Sequence, residues 1–169
     1  MPVDRTGLKP IANMEGMPCF ACGANNPAGL HMDFHTDGRR VYSFVTVPPV
    51  MAGWSRTAHG GILSTMLDEI MCWSIIYLQG KMAVTQSMTV EFRKPVQVGQ
   101  ALTVIGAVEE IAGRRITARG EIHGPENTLC VEARGIFAAM PAQTAVRTGV
   151  MRPDEMERFL PILRQREDS

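Results

Sequence analysis

The chain has no net charge: 17 Lys and Arg are balanced by 17 Asp and Glu over 169 residues. Such a balance makes no long-range field toward nucleic acid or an anionic membrane, so an anionic ligand has to be held by a local cluster. The N-terminus lacks the basic-then-apolar pattern of a secretory signal, and a cytoplasmic protein without nucleic-acid or membrane partners is expected. Cysteine is scarce, at four residues, Cys19, Cys22, Cys72 and Cys130. Cys72 and Cys130 lie in apolar runs and are expected as small core residues. Cys19-x-x-Cys22 has a spacing that suits zinc, but a structural site needs four ligands and no second pair follows. His31 and His35 are the histidines that would complete a set. A redox pair and a simple turn framework are the other readings of the motif; the turn framework, with no metal and no cofactor, is the expectation. Asn26-Pro27-Ala28-Gly29 supports it, with a fixed φ at Pro27 and a permissive Gly29. The length suits one domain with a sizeable core.

The segment His59–Gly80 organises the rest. From Gly61 onward it reads as a helix of about five turns, ended by Gly80, where a left-handed cap is suited. Ile62, Met66, Ile70, Trp73 and Tyr77 form one apolar row, and Leu63, Leu67, Met71 and Leu78 form the next. A helix apolar over so much of its circumference is buried. Its length of about eighteen residues approaches that of a membrane span, but Asp68 and Glu69 at its middle argue against lipid. The two acids lie about 100° apart round the helix and face different neighbours. A buried carboxylate needs a partner or a proton, which makes both acids candidates for chemistry as well as for structure.

His59-Gly60-Gly61 opens the helix, where the first backbone N–H groups have no intrahelical acceptor. The two glycines let a ligand approach, and the helix dipole favours negative charge there. This is a candidate oxyanion site for an ester or thioester carbonyl. Gly61 and Asp68 are seven residues apart, roughly 10 Å along the axis, too far for both to touch one carbonyl carbon of the same site. Joint action therefore implies two copies of the chain.

Alternation from Leu30 through Met32 and Phe34, a turn at Thr36-Asp37-Gly38-Arg39 and Val41–Val47 predict a hairpin. Met51–Ala58 reads as an irregular loop. Ala83–Arg93, Ala101–Ile111, Arg115–His123 and Thr128–Met140 are strand-like and bounded by Gly or Pro. Two strands, a long buried helix and four strands make an α+β arrangement, a largely antiparallel sheet wrapped round one central helix. Residues 1 to about 17 carry no strong pattern, and Pro153–Arg164 suits a short amphipathic helix with Met156, Phe159 and Leu160 inward.

This arrangement resembles the hotdog fold. His59-Gly60-Gly61 followed by Leu67-Asp68-Glu69 resembles the phenylacetate-pathway (PaaI-like) group of acyl-CoA thioesterases. Thr85-x-x-Met88-x-Val90-x-Phe92-x-x-Pro95-Val96-x-x-Gly99 resembles the strand after the helix in that group, and Cys19-x-x-Cys22-Gly23 with Asn26-Pro27-x-Gly29-Leu30 the N-terminal signature of one branch. The resemblance covers residues 19–140, leaving 1–18 and 141–169 as extensions. It implies hydrolysis of acyl-CoA at sites between subunits of a homodimer, often assembled into a tetramer, with no cofactor. Asp68 falls on the catalytic carboxylate, as base or nucleophile. Gly61 supplies the backbone N–H to the thioester oxygen, His59 shapes the site, and Thr85 faces the carboxylate and helps hold water. Glu69 is the alternative acid. One departure is Ala52-Gly53, where relatives often carry Asn or Gln.

Coenzyme A is anionic, and Arg93-Lys94 and Arg114-Arg115 are local basic pairs suited to its phosphates. Gly60 and Trp54 complete the candidate substrate-binding set. Trp54, Trp73, Tyr77 and twelve methionines allow a broad apolar acyl pocket. Two other functions fit the same pattern, a non-catalytic acyl-CoA or acyl-lipid binding module and a hydratase or dehydratase pairing His59 with Asp68.

Overall fold

The structure is a computed structural model that describes residues 5–166. Residues 1–4 and 167–169, in the two expected extensions, lie outside the described residues. The chain runs β1 (Lys9–Ile11), β2 (Phe34–Thr36), β3 (Val41–Thr46), β4 (Ala52–Trp54), β5 (Thr57–Ala58), α1 (Gly60–Gln79), β6 (Met82–Phe92), β7 (Ala101–Ala112), β8 (Arg115–His123), β9 (Leu129–Met140), α2 (Ala142–Arg147) and α3 (Pro153–Arg164). Seven strands form one antiparallel sheet in the order β1-β2-β3-β7-β8-β9-β6, and β4 and β5 form a separate hairpin.

The helix packs on the inner face of this sheet, against β3, β6, β7, β8 and β9. Leu63, Met66, Leu67, Ile70, Met71 and every residue from Trp73 to Leu78 are buried. Both apolar rows therefore find cover, as a helix with so broad an apolar surface requires. Its length and hydropathy would also suit a membrane span, but most of it lies inside the protein. Trp73 stacks on Phe34 of β2, with ring centroids 4.6 Å apart, and meets Phe159 of α3 edge-on at 6.3 Å. Met156, Phe159, Ile162 and Leu163 of α3 join the same core, while Leu160 is only partly buried.

Three expectations need correction. The run from Leu30 keeps its alternation in burial, yet the ladder begins only at Phe34. His31 sits at φ 51°, and the N–H groups of Leu30 and Met32 are taken by the carbonyls of Phe20 and Ala21 in the cysteine loop. Lys9–Ile11, in a segment without a sequence pattern, is a strand because it pairs with β2, placing Ile11 opposite Phe34. The expected irregular loop before the helix is in part the β4–β5 hairpin.

Gly80 ends α1 at φ 60°, ψ 32°, and its N–H closes on the Ile76 carbonyl. A Cβ there would stand 2.9 Å from the Leu163 carbonyl oxygen. Gly80→Ala is expected to lower stability by about 1–2 kcal/mol from the left-handed backbone alone. Urea unfolding measures it, and an unchanged midpoint would mean that the cap and α3 shift together without cost.

Candidate active site

The site is built on the start and middle of α1 and on β6, which runs antiparallel beside it. His59 is the N-cap: its backbone is extended and its Nδ1 accepts the Gly61 N–H at 2.9 Å. Accepting at Nδ1 places the ring proton of a neutral imidazole on Nε2. Gly60 lies against the end of β6, where a Cβ would be 3.4 Å from the Phe92 ring. Gly53 packs on His59 just as closely, its Cβ position being 3.2 Å from His59 Cα and 3.3 Å from Cδ2. At Gly53, one of the two positions of the departure, a side chain would therefore require the histidine to give by a few tenths of an ångström.

Two turns on, Asp68 Oδ1 accepts the Thr85 hydroxyl at 2.6 Å. Thr85 is exposed and Asp68 partly so, which leaves the pair open to water or a ligand. The β6–β9 register shifts at this place, with Thr85 opposite Phe137 and Ser87 opposite Ile136, so Gln86 is extra. A bulge of this kind re-aims neighbouring side chains and recurs beside active sites.

Glu69 faces elsewhere. Its Oε1 accepts the Trp73 indole N–H at 3.0 Å and lies 3.6 Å from Cys19 Sγ. Burial pushes its carboxyl up to about 7, reinforced by the neighbouring Cys19 thiolate. The Cys22 side chain, helped by backbone N–H groups, pulls the Cys19 thiol down, and the Cys19 side chain together with burial pushes Cys22 up. The expectation of a metal-free turn rested on the lack of further ligands. The structure supplies one, since Cys19, Cys22 and Glu69 place their donor atoms within 4.8 Å of one another. The sequence reading offered His31 and His35 instead; His31 bonds the Asn26 carbonyl and His35 packs against Phe44.

The remaining candidates are spread out. Trp54, at the tip of the β4–β5 hairpin, is 85% exposed. Arg93 is held by Glu91 and Glu132, while Lys94, Arg114 and Arg115 are exposed. Arg93 donates its backbone N–H to Cys130, whereas Arg115 stands opposite Ala138. Eight residues along β9 separate those two contacts, about 25 Å. Within one chain the two basic pairs cannot grip the same phosphate. Phe92, which the sequence reading left unassigned, is 55% exposed at the mouth of the helix start.

Residues 56–131 match the thioesterase superfamily. Acyl-coenzyme A thioesterase THEM4 of Xenopus laevis is 26% identical over 107 residues, covering 63% of this chain and 48% of that protein. The chain thus spans about half the length of this curated relative. The PaaI protein of the E. coli phenylacetic acid degradation operon has a similar structure, with a TM-score of 0.60 at 23% identity, over 66% of this chain and 81% of that one. A hypothetical thioesterase of Streptococcus pneumoniae, solved with coenzyme A, gives 0.57 at 19% identity, over 61% of this chain and 80% of that one. At these identities the two structures speak to fold, and the fold is the hotdog fold.

Proposed function

We propose that this chain, a hotdog-fold protein whose residues 56–131 are a thioesterase-superfamily segment, hydrolyses acyl-CoA to free acid and coenzyme A with Asp68 as the reacting carboxylate. The observation that carries the reading is the bond from Thr85 to Asp68 on an open face of the helix. The hydroxyl orients one carboxylate oxygen and leaves the other for water. As a general base, Asp68 takes a proton from water while the water oxygen attacks the thioester carbon. As a nucleophile, its oxygen attacks that carbon and water then cleaves the anhydride. In both routes the carbonyl oxygen becomes an oxyanion, and its collapse expels the coenzyme A thiolate.

The helix start supplies the counterpart. The Gly61 N–H points out of the helix toward His59 Nδ1, and on this reading the thioester oxygen takes it over when substrate binds. His59 then acts as a placeholder that shapes the site, a role that suits a cap better than the proton-moving histidine of a hydratase. The roughly 10 Å from Gly61 to Asp68 supports a site whose two halves come from two subunits. The β6 strand supports such an assembly, since it lies at the sheet edge and its free side offers unpaired backbone groups to a second copy. Acyl-CoA is the ligand named for the THEM4 relative, and on this reading the exposed Lys94, Arg114 and Arg115 are the basic groups that meet its phosphates.

The test is release of free thiol from a panel of aromatic, medium-chain and long-chain acyl-CoA esters, with subunit mass followed by light scattering. Turnover of at least one ester by a dimer or larger assembly is expected. Hydrolysis by a monomer would defeat the shared site. The close packing of Gly53 on His59 favours a second reading, a non-catalytic acyl-CoA binding module without the loop amide; binding without thiol release would establish it.

A further inference from the structure

The cysteine motif and Glu69 are left unused by the proposed reaction, and their geometry has its own logic. We propose that Cys19, Cys22 and Glu69 bind a divalent transition-metal ion of zinc's class, which ties the N-terminal loop to α1 one residue from Asp68. The loop is shaped to present both sulfurs together. The Cys22 backbone N–H points at Cys19 Sγ at 3.4 Å, and the Gly23 N–H closes on the Cys19 carbonyl at 2.9 Å. A Cβ at Gly23 would lie 2.5 Å from that carbonyl oxygen and 2.9 Å from the Cys19 nitrogen, so only glycine permits the turn. Asn13 fixes the loop from outside, donating from Nδ2 to the Cys22 carbonyl at 3.2 Å.

The third donor comes from the rigid helix. Cys19 Sγ and Glu69 Oε1 are 3.6 Å apart. Two ligands at about 2.3 Å (sulfur) and about 2.1 Å (oxygen) from one tetrahedral ion stand about 3.6 Å from each other. All three donor atoms lie within 4.8 Å of one another, close enough to converge with small rotations. Trp73 donates its indole N–H to the same carboxylate, the kind of outer hydrogen bond that orients a metal ligand. Among the described residues no Lys, Arg or His forms an ion pair with Glu69, so no side-chain cation holds the place of the ion.

Two thiolates and a carboxylate form a set that borderline-soft zinc accepts and that magnesium and calcium do not favour. Binding releases the thiol protons to solvent, and water takes the fourth position. The ion would anchor a loop whose own backbone bonds already hold Leu30 and Met32, and through it the approach to β2.

The experiment uses the untagged full chain, reduced and stripped by a chelator, then titrated with cobalt(II) and back-titrated with zinc. A near-ultraviolet thiolate-to-cobalt band is expected at one equivalent, displaced by zinc, with one zinc per chain retained on dialysis. Cys19→Ser and Cys22→Ser are expected to lose the band, and Glu69→Gln to weaken zinc binding on the order of tenfold or more. Should the serine variants fail to fold, zinc release from the wild-type chain by an organomercurial thiol reagent, followed with a metallochromic dye, reads the same ligands. No thiolate band and no retained zinc, or Glu69→Gln binding as tightly as wild type, would each overturn the site. None of these readouts depends on thioester hydrolysis, so the two proposals stand or fall separately.

Discussion

Asp68→Asn is expected to reduce acyl-CoA turnover by on the order of 10² or more while leaving the fold and acyl-CoA binding nearly intact. Asparagine has the shape of aspartate and still accepts the Thr85 hydroxyl, whose bond to Oδ1 is 2.6 Å. It cannot take a proton from water or attack as a carboxylate, so the loss falls on kcat. Glu69→Gln is expected to cost less, because Glu69 faces Trp73 and Cys19 instead of the open face shared by Asp68 and Thr85. Thiol release measured on both variants, with thermal melting alongside, separates chemistry from folding. Near-normal turnover by Asp68→Asn together with a dead Glu69→Gln would reverse the assignment of the two acids.

The difference between these neighbouring acids marks the limit of what the sequence carried. Helical spacing alone separated Asp68 from Glu69 by about 100°, which showed that they face different surroundings but not which ones. The strong signals were legible: a long apolar helix with a glycine at its end, and strands bounded by turn residues. They fix the type of the long elements because periodicity over many residues outweighs local exceptions. Short elements escaped for the opposite reason. Lys9–Ile11 contains a proline and becomes a strand only because β2 lies beside it. Leu30–Phe34 has the right alternation, yet its first N–H groups are taken by the cysteine loop instead of a ladder.

The site shows the same division. His59, Gly61, Asp68 and Thr85 were named from sequence, and the structure joins them in two pairs, His59 with Gly61 and Asp68 with Thr85. The bulge at Gln86, where the register shifts beside Thr85, leaves no mark in β6's composition. The meeting of Cys19 with Glu69 spans fifty residues. No spacing rule links a Cys-x-x-Cys loop to a helix that far along the chain, so the sequence gives no sign that a third donor stands beside the two sulfurs.

Gly106→Val is expected to destabilise the protein by about 3 kcal/mol, a large value for one exposed-to-nothing position between a helix and a sheet. Three glycines let α1 approach its sheet. Gly106 of β7 stands directly opposite Gly120 of β8, and Gly135 of β9 pairs with Ala118 two residues along. A Cβ on Gly106 would fall 2.6 Å from the Ile70 carbonyl oxygen and against Ser74 Oγ. At Gly120 the nearest neighbour is a Leu67 methyl at 3.0 Å, which can rotate away. The Ile70 carbonyl cannot, because it belongs to the helix backbone and also accepts the Ser74 hydroxyl at 2.8 Å. Relief at Gly106 therefore requires the helix itself to lift from β7. That movement separates buried side chains from their partners, including Ile70 and Met71, which have no exposed surface. For a chain of this size the loss corresponds to a fall in Tm of about 6–12 °C. Gly106→Ala is expected to act in the same direction, since Cβ is the first clashing atom, and Gly120→Ala to cost less. Asp68 lies two residues before Ile70, so turnover at a temperature where Gly106→Ala stays folded is expected to fall as well. A neutral Gly106→Ala, in melting and in turnover, would show that α1 can stand off its sheet without cost and that the close approach does not hold the carboxylate in place.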